Sequence, residues 1–363
     1  MRNSKQAERL IGYFAKSDKN RKRLISFIGL GLLLVIFRLF SFSSAQLEEK
    51  IDFHKQFIDD YGIYALDLPN QIDFCGEKMP MNDLNLEERL DKELLSNTYF
   101  QSNTMLYFKK ASRWFPVIEP ILKENGIPDD FKYLPLVESN LSNVVSPAGA
   151  TGYWQLMKST AKQFNLEVND VVDERYNMVL STRAACRYLK NSYAEFNNWT
   201  LCAAAYNMGI DGIKKQLKRQ KATNYYDLYL NSETSRYVFR LLAIKEIMTN
   251  PENYGYHFRE EHLYPKIKYS TLMVDTPINN IAEFAKTQNV NYRIIKIHNP
   301  WLRKNYLTNK TRKNYKILVP DSGYYVIETL EHDSQNTLLS NDSSQIRKNI
   351  VITNDTLDSS QAK

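Results

Sequence analysis

The sequence predicts a mainly α-helical protein with a small α/β module near its C-terminal end and a membrane-crossing helix near its N-terminus. Three observations predict it. Apolar residues recur at helical spacing from about Ser96 to Tyr256, with no alternating strand pattern. After Tyr264 the texture changes to strand-like and helix-like pieces in turn. Leu24 to Phe37 is an unbroken apolar or glycine-containing run, LISFIGLGLLLVIF, placed directly after Arg21-Lys22-Arg23. Apolar residues make up 43% of 363 residues, enough to bury a core with tails to spare.

The N-terminal 1–23 form a basic cytoplasmic region. They hold eight Lys/Arg and two acids, or +6 of the chain's formal +7, leaving +1 over the other 340 residues. Positive charge ahead of an apolar run keeps the basic end in the cytoplasm and exports the rest of the chain. Two readings of 24–42 are open. One is a signal anchor, with Arg38 snorkelling to the far interface. The other is a signal peptide cleaved near Ser43-Ser44-Ala45. Basicity read as a terminal feature excludes nucleic acid as a partner, since that needs cations clustered on a domain face.

Residues 43–95 read as a linker and helical lead-in, with LEERLDKELL (86–95) carrying apolar residues at helical spacing. Residues 96–260 read as the main helical domain. Met105, Leu106, Phe108, Phe115, Ile118 and Leu122 keep one helix face apolar. Pro128-Asp129-Asp130 opens the next helix, as proline and acids in a first turn do. A Pro/Gly turn, Ser146 to Gly152, precedes helices expected over 153–164, 178–196, 199–207 and 234–249. Gly149 and Gly152 are the backbone necessities of that turn. The three cysteines are too scattered for a disulfide framework or zinc site. Cys186 and Cys202 are read as buried thiols, with a bridge between neighbouring helices as the alternative.

Residues 265–320 read β-α-α-β: YSTLMVDTP, INNIAEFAKTQ, NYRIIKIHN and NYKILVP. The tail 321–363 is polar, and from 333 so rich in Ser, Asn, Asp and Gln that it is expected to be disordered.

One carboxylate stands out. Glu138 closes an apolar helix and is the only acid from Phe131 to Leu166. Leu134, Leu136 and Val137 precede it closely. A carboxyl among apolar groups is disfavoured as an anion, so its pKa should rise. That suits a general acid protonating a glycosidic oxygen near neutral pH; a helix-end Glu that merely caps or bridges is the plainer reading. Most glycosidases use two carboxylates, and no second one lies nearby in sequence, although Asp173 or Glu233 could fold back. A one-carboxylate site must take its nucleophile from the substrate, as an N-acetyl group can provide.

Four ordered blocks then carry a resemblance: Glu138-Ser139; Ser146-Pro-Ala-Gly149-Ala-Thr-Gly152-Tyr-Trp154-Gln155-Leu-Met157; Ala205-Tyr206-Asn207-Met208-Gly209; and Glu233-Thr-Ser-Arg-Tyr237-Val238. Together they resemble the lysozyme-like soluble lytic transglycosylase (SLT) family, in particular its membrane-bound D group. They span about Ile127 to Met248, a third of the chain. The 265–320 module is similar to a divergent LysM wall-binding module, with a long insert at Trp301–Asn314; an appendage without a ligand is the other reading.

The resemblance implies a lysozyme-like helical domain and a lyase acting on peptidoglycan glycan strands in the bacterial cell envelope. The helical domain would lie in the periplasm, tethered through 24–42. No metal and no cofactor are implied. Glu138 would be the catalytic acid/base. Ser146 would contact the N-acetyl group of the reacting sugar or position the oxazolinium-like intermediate. Gln155 and Met157 would line the groove, and Tyr206 would sit against the intermediate and the carboxyl. Asn207 would support its own turn, and Glu233 and Tyr237 would complete the substrate wall. Met157 as core packing, Asn207 as a backbone partner before Gly209 and Glu233 as a helix N-terminal acid are the plainer alternatives. Lys158 departs from the family, which has proline after the methionine. The implied reaction forms 1,6-anhydromuramyl ends; a hydrolytic muramidase and a non-catalytic wall-binding scaffold are the competing readings.

Overall fold

The computed structural model describes residues 64–323 and Tyr325, together with Leu33, Phe37 and Arg38, which are helical. The chain divides into two units, Met1–Tyr64 and Ala65–Lys363. Apart from those three residues, the expected anchor at 24–42 lies outside the described residues, as does most of the 321–363 tail. No helix among the described residues is long and apolar enough to cross a membrane.

The second unit opens with a short antiparallel hairpin, β1 (Asp73–Phe74) and β2 (Glu77–Lys78). Helix α1 (Leu84–Tyr99) comes next, capped by the Asp83 side chain. Its apolar residues Leu86, Leu90 and Leu94 are buried in the main core. Helix α2 (Gln101–Glu124) runs on through Pro116 and Pro120. The stretch opened by Pro128 is a 3-10 turn, Asp129–Tyr133, which leads into the short α3 (Leu134–Ser139).

The expected helix over 153–164 is corrected. Only α4 (Lys158–Gln163) is helical there. Residues 145–156 instead fold as a tight loop bridged at Val145–Thr151 and Thr151–Leu156. Gly152 at φ +83° and Gln155 at φ +46° sit in the left-handed region, which an α-helix does not admit. Trp154 and Met157 therefore lie in a loop rather than on a helix. Lys158 is the first residue of α4.

Helices α5 (Met178–Phe196), α6 (Trp199–Met208), α7 (Ile210–Gln220) and α8 (Ser232–Thr249) complete the domain. Asn177, Asn198 and Asn231 cap α5, α6 and α8 with their side chains. Helix α8 is the spine: Val238, Phe239, Leu241, Leu242 and Ala243 are fully buried, which takes apolar residues on more than one face. All three cysteines are free, and Cys186 and Cys202 are buried.

The module folds in the expected order. Strand β3 (Tyr269–Val274) pairs antiparallel with β4 (Tyr315–Pro320), with Tyr269 opposite Pro320 and Val274 opposite Tyr315. Helices α9 (Ile281–Thr287) and α10 (Tyr292–His298) lie between them in sequence. The module shares its core with the helical domain, because Val172 and Tyr176 pack with Ile278, Ile295, Trp301 and Leu302. Asp173 N–H donates to the Trp301 carbonyl (2.9 Å) and Arg303 N–H to that of Val171 (2.8 Å). Lys313 bridges Glu174 (2.6 Å) and Glu167 (2.9 Å).

Candidate active site

Glu138 lies in the last turn of α3, which stops at Ser139 because the chain turns sharply there. Asn140 and Leu141 both adopt positive φ, at 52° and 47°, so the helix cannot continue. The Ser139 hydroxyl contacts the Tyr153 carbonyl (2.7 Å) and that of Pro135 (3.0 Å), tying the helix end to the 146–157 loop.

That loop is held from three further sides. Trp154 is fully buried and its indole N–H donates to Thr182 Oγ1 of α5 (2.8 Å). The Tyr206 hydroxyl of α6 donates to the Trp154 carbonyl (2.7 Å). The Arg175 guanidinium donates to the carbonyls of Gly149 and Leu156 (3.1 Å each). Arg175 is in turn fixed by a buried ion pair with Asp173 (2.7 Å). A Cβ on Gly152 would lie 2.0 Å from the Arg175 carbonyl oxygen, so glycine is needed there for close approach as well as for φ. Sequence reasoning missed Arg175; its signal was an arginine directly preceded by two acids, Asp173 and Glu174.

The half-buried Glu138 carboxyl accepts a hydrogen bond from the Tyr237 hydroxyl of α8. Burial raises its pKa to about 7, with Tyr237 opposing the rise, the Glu233 charge adding to it and Arg240 opposing it. No ion pair forms on Glu138 among the described residues. Arg240 is drawn instead toward Glu93 of α1 (3.7 Å), a carboxylate 1% exposed that also pairs with Arg236. Tyr206 is close enough that the Glu138 charge helps burial push its phenol well up.

Glu233 and Tyr237 sit one turn apart on α8; Tyr237 bonds the Glu138 carboxyl, while Glu233 acts on it through its charge alone. The exposed Glu233 accepts from Asn207 Nδ2 (3.3 Å), and Asn207 Oδ1 accepts from Thr234 (2.8 Å). Asn207 thus links α6 to α8 through its side chain. Asp173, the other acid that sequence left open as a partner, is consumed by Arg175. Ser146 Oγ accepts from the Ala150 N–H (3.0 Å). Gln155 Nε2 donates to the carbonyls of Val144 (3.0 Å) and Gly152 (2.8 Å), bracing the loop. Met157 is 42% exposed, which removes the core-packing alternative. The structure therefore brings Glu138, Tyr206, Glu233 and Tyr237 together, with Asn207 behind them and Gln155 and Ser146 shaping the loop.

Residues 115–229 match the family model described as the Transglycosylase SLT domain. The chain carries an SLT domain. Residues 270–323 match the soluble lytic transglycosylase C-terminal LysM-like domain, so the SLT domain is followed by a LysM-like one. The chain is 31% identical over 192 residues to membrane-bound lytic murein transglycosylase D of Escherichia coli (strain K12), covering 50% of this chain and 41% of that relative. It is 30% identical over 123 residues to a putative tributyltin chloride resistance protein of Alteromonas sp. (strain M-1), covering 32% of this chain and 59% of the relative. The chain thus spans under two thirds of the length of these curated relatives. The 70 kDa soluble lytic transglycosylase SLT70 from Escherichia coli is similar at TM-score 0.33 and 22% identity, over 38% of this chain and 24% of that one. The SLT match ends before Glu233 and Tyr237 and begins after Glu93. Helices α1 and α8, which set the environment of Glu138, thus lie outside it.

Proposed function

We propose that the chain is a lytic transglycosylase of peptidoglycan, cleaving the β-1,4 bond between N-acetylmuramic acid and N-acetylglucosamine with Glu138 as acid and then base. The observation that carries this reading is a carboxyl raised to about 7 and held by a neutral donor, Tyr237, rather than by a cation. Such a group is populated in both protonation states near neutral pH, as a residue that gives and then retrieves a proton requires.

In the first step protonated Glu138 gives its proton to the glycosidic oxygen as the bond to C1 breaks. The N-acetyl carbonyl of the muramyl sugar closes on C1, with Tyr206 and the 146–157 loop bounding the space. In the second step the Glu138 carboxylate takes the proton of the muramyl 6-hydroxyl, whose oxygen attacks C1 and releases the N-acetyl group. Glu138 ends protonated, as it began, and no water is consumed.

A hydrolytic reading is favoured by one observation: Glu233 lies near enough to raise the Glu138 pKa, and a carboxylate there could activate water. Mass spectrometry of products released from purified sacculi separates the two, because anhydro ends are lighter by one water. Loss of products in Glu138→Gln is expected. Full activity in that variant would remove the assignment, and hydrated ends would replace it with hydrolysis.

A further inference from the structure

The +1 left after the first 23 residues hides a strong asymmetry. Residues 265–320 hold eleven Lys/Arg against two acids, net +9, offset by net −4 over 24–264 and net −4 over the acidic 321–363. The basicity of this chain is therefore not confined to its terminus. Where the module meets the helical domain, helix α2 adds Lys109, Lys110 and Arg113, with Arg113 four residues after Lys109 and three after Lys110 and so beside each on the helix surface.

These cations bond to neutral groups. Lys109 Nζ donates to the His262 carbonyl. Lys110 Nζ donates to the Asn140 carbonyl (2.8 Å) and to Ser142 Oγ (2.7 Å). Arg113 Nε donates to the Pro265 carbonyl (3.1 Å), and its guanidinium lies 5.1 Å from the Tyr264 ring centroid. On the module side, exposed Arg293 adds a fourth charge. His298, whose Nδ1 lies 3.0 Å from the Tyr269 hydroxyl, feels both Arg113 and Arg293, which with burial hold its pKa down. Among the described residues none of Lys109, Lys110, Arg113 and Arg293 meets a carboxylate. By contrast Lys132, Lys245 and Lys313 each meet two. Among the described residues the fold concentrates positive charge here without an ion pair to any of these four side chains.

The strip begins beside the candidate site. Lys110 is anchored on Asn140, two residues past Glu138, and Arg113 lies close enough to Tyr153 of the 146–157 loop to act on its phenol. An anion held there must be carried by the strand lying over Glu138. Peptidoglycan strands carry such anions in the free carboxylates of their stem peptides. Resting on the wall-cleaving reading above, we propose that Lys110, Arg113 and Arg293 form a carboxylate-binding strip that holds a stem peptide while its glycan strand is cut. Arginine suits this through bidentate contact with a carboxylate.

The test compares full-length wild type with Arg113→Gln/Arg293→Gln on stem-bearing strands and on strands stripped of stems by an amidase. With the strip at work, kcat/KM falls about tenfold or more on stem-bearing strands and stays unchanged on stripped ones, the size expected for losing charge-assisted hydrogen bonds. Arg113→Lys keeps the charge but not the bidentate contact, so its kcat/KM on stem-bearing strands falls between those of wild type and the double variant. Equal loss on both substrates, or none on stem-bearing strands, overturns the proposal. A second measurement needs no cleavage: free stem tetrapeptide titrated into isotope-labelled chain, followed at the arginine side-chain N–H signals. Wild type that cuts neither substrate but binds the peptide through these arginines would end the transglycosylase reading and keep the strip. Peptide that leaves the arginine signals unmoved overturns the strip.

Discussion

Tyr237 of α8 donates its hydroxyl hydrogen to Glu138 at the end of α3, joining residues 99 positions apart in the chain. The contact stabilises the Glu138 anion against burial. Tyr237→Phe removes that donor, so the Glu138 pKa should move further up. The alkaline limb of activity is expected to shift to higher pH, with the rate at its optimum falling about tenfold, as for one charge-assisted hydrogen bond. A pH–rate profile of kcat/KM checks it, and an unmoved limb would show that the bond does not tune the acid.

Glu138 itself should cost stability when charged. Its folded pKa of about 7 lies above the ordinary value of 4.5, so the folded state holds a proton that the unfolded state releases between those values. Stability attributable to this group is intact below about pH 4.5 and declines as pH rises to about 7. Glu138→Gln keeps an acceptor for Tyr237 without the charge. It should be more stable than wild type by on the order of 1–3 kcal/mol above pH 7. The gain should vanish near pH 4, and thermal melts at the two pH values measure it.

The 146–157 loop depends on Arg175. Arg175→Ala would release the Gly149 and Leu156 carbonyls and leave Asp173, 7% exposed, without its cation. Breaking a buried pair from one side costs about 3–5 kcal/mol. Gly152→Ala should be at least as damaging, since its Cβ meets the Arg175 carbonyl oxygen at 2.0 Å. Denaturant unfolding of both variants is the check, and a loss under about 1 kcal/mol for Arg175→Ala would contradict the bracing role.

Lys313 couples the module to the SLT domain. Its partner Glu167 has a pKa below the usual carboxylate range, with the hydrogen bonds from Lys313 and Tyr315 overcoming a partial burial that acts the other way. That stabilisation is present above the ordinary carboxylate pKa and lost as pH falls through the depressed value. Lys313→Met should therefore lower the melting temperature at pH 7. The gap to wild type should narrow in acid below the ordinary carboxylate range. A gap independent of pH would mean that the contact is packing rather than charge.

The sequence by itself determined the features that local chemistry dictates. Helices expected over 178–196, 199–207 and 234–249 are found at Met178–Phe196, Trp199–Met208 and Ser232–Thr249, and the β-α-α-β order of the module was legible in its residue texture. Glu138 was legible because it is a lone acid in an apolar run. The 153–157 turn was not, because an apolar stretch with Trp154 reads as helix until Gly152 and Gln155 are seen in left-handed geometry. Only the tertiary structure decided which distant groups face that carboxyl. Tyr237, Glu233 and Arg240 come from α8, and Glu93 from α1 holds Arg240 back. Charge and hydrogen bonding act over a few ångströms of space and take no account of the hundred residues between. The cationic strip was hidden for a related reason. A sum along the chain cancels the module against the acidic excess of 24–264 and of the tail, while folding sets Arg113 against the start of that module.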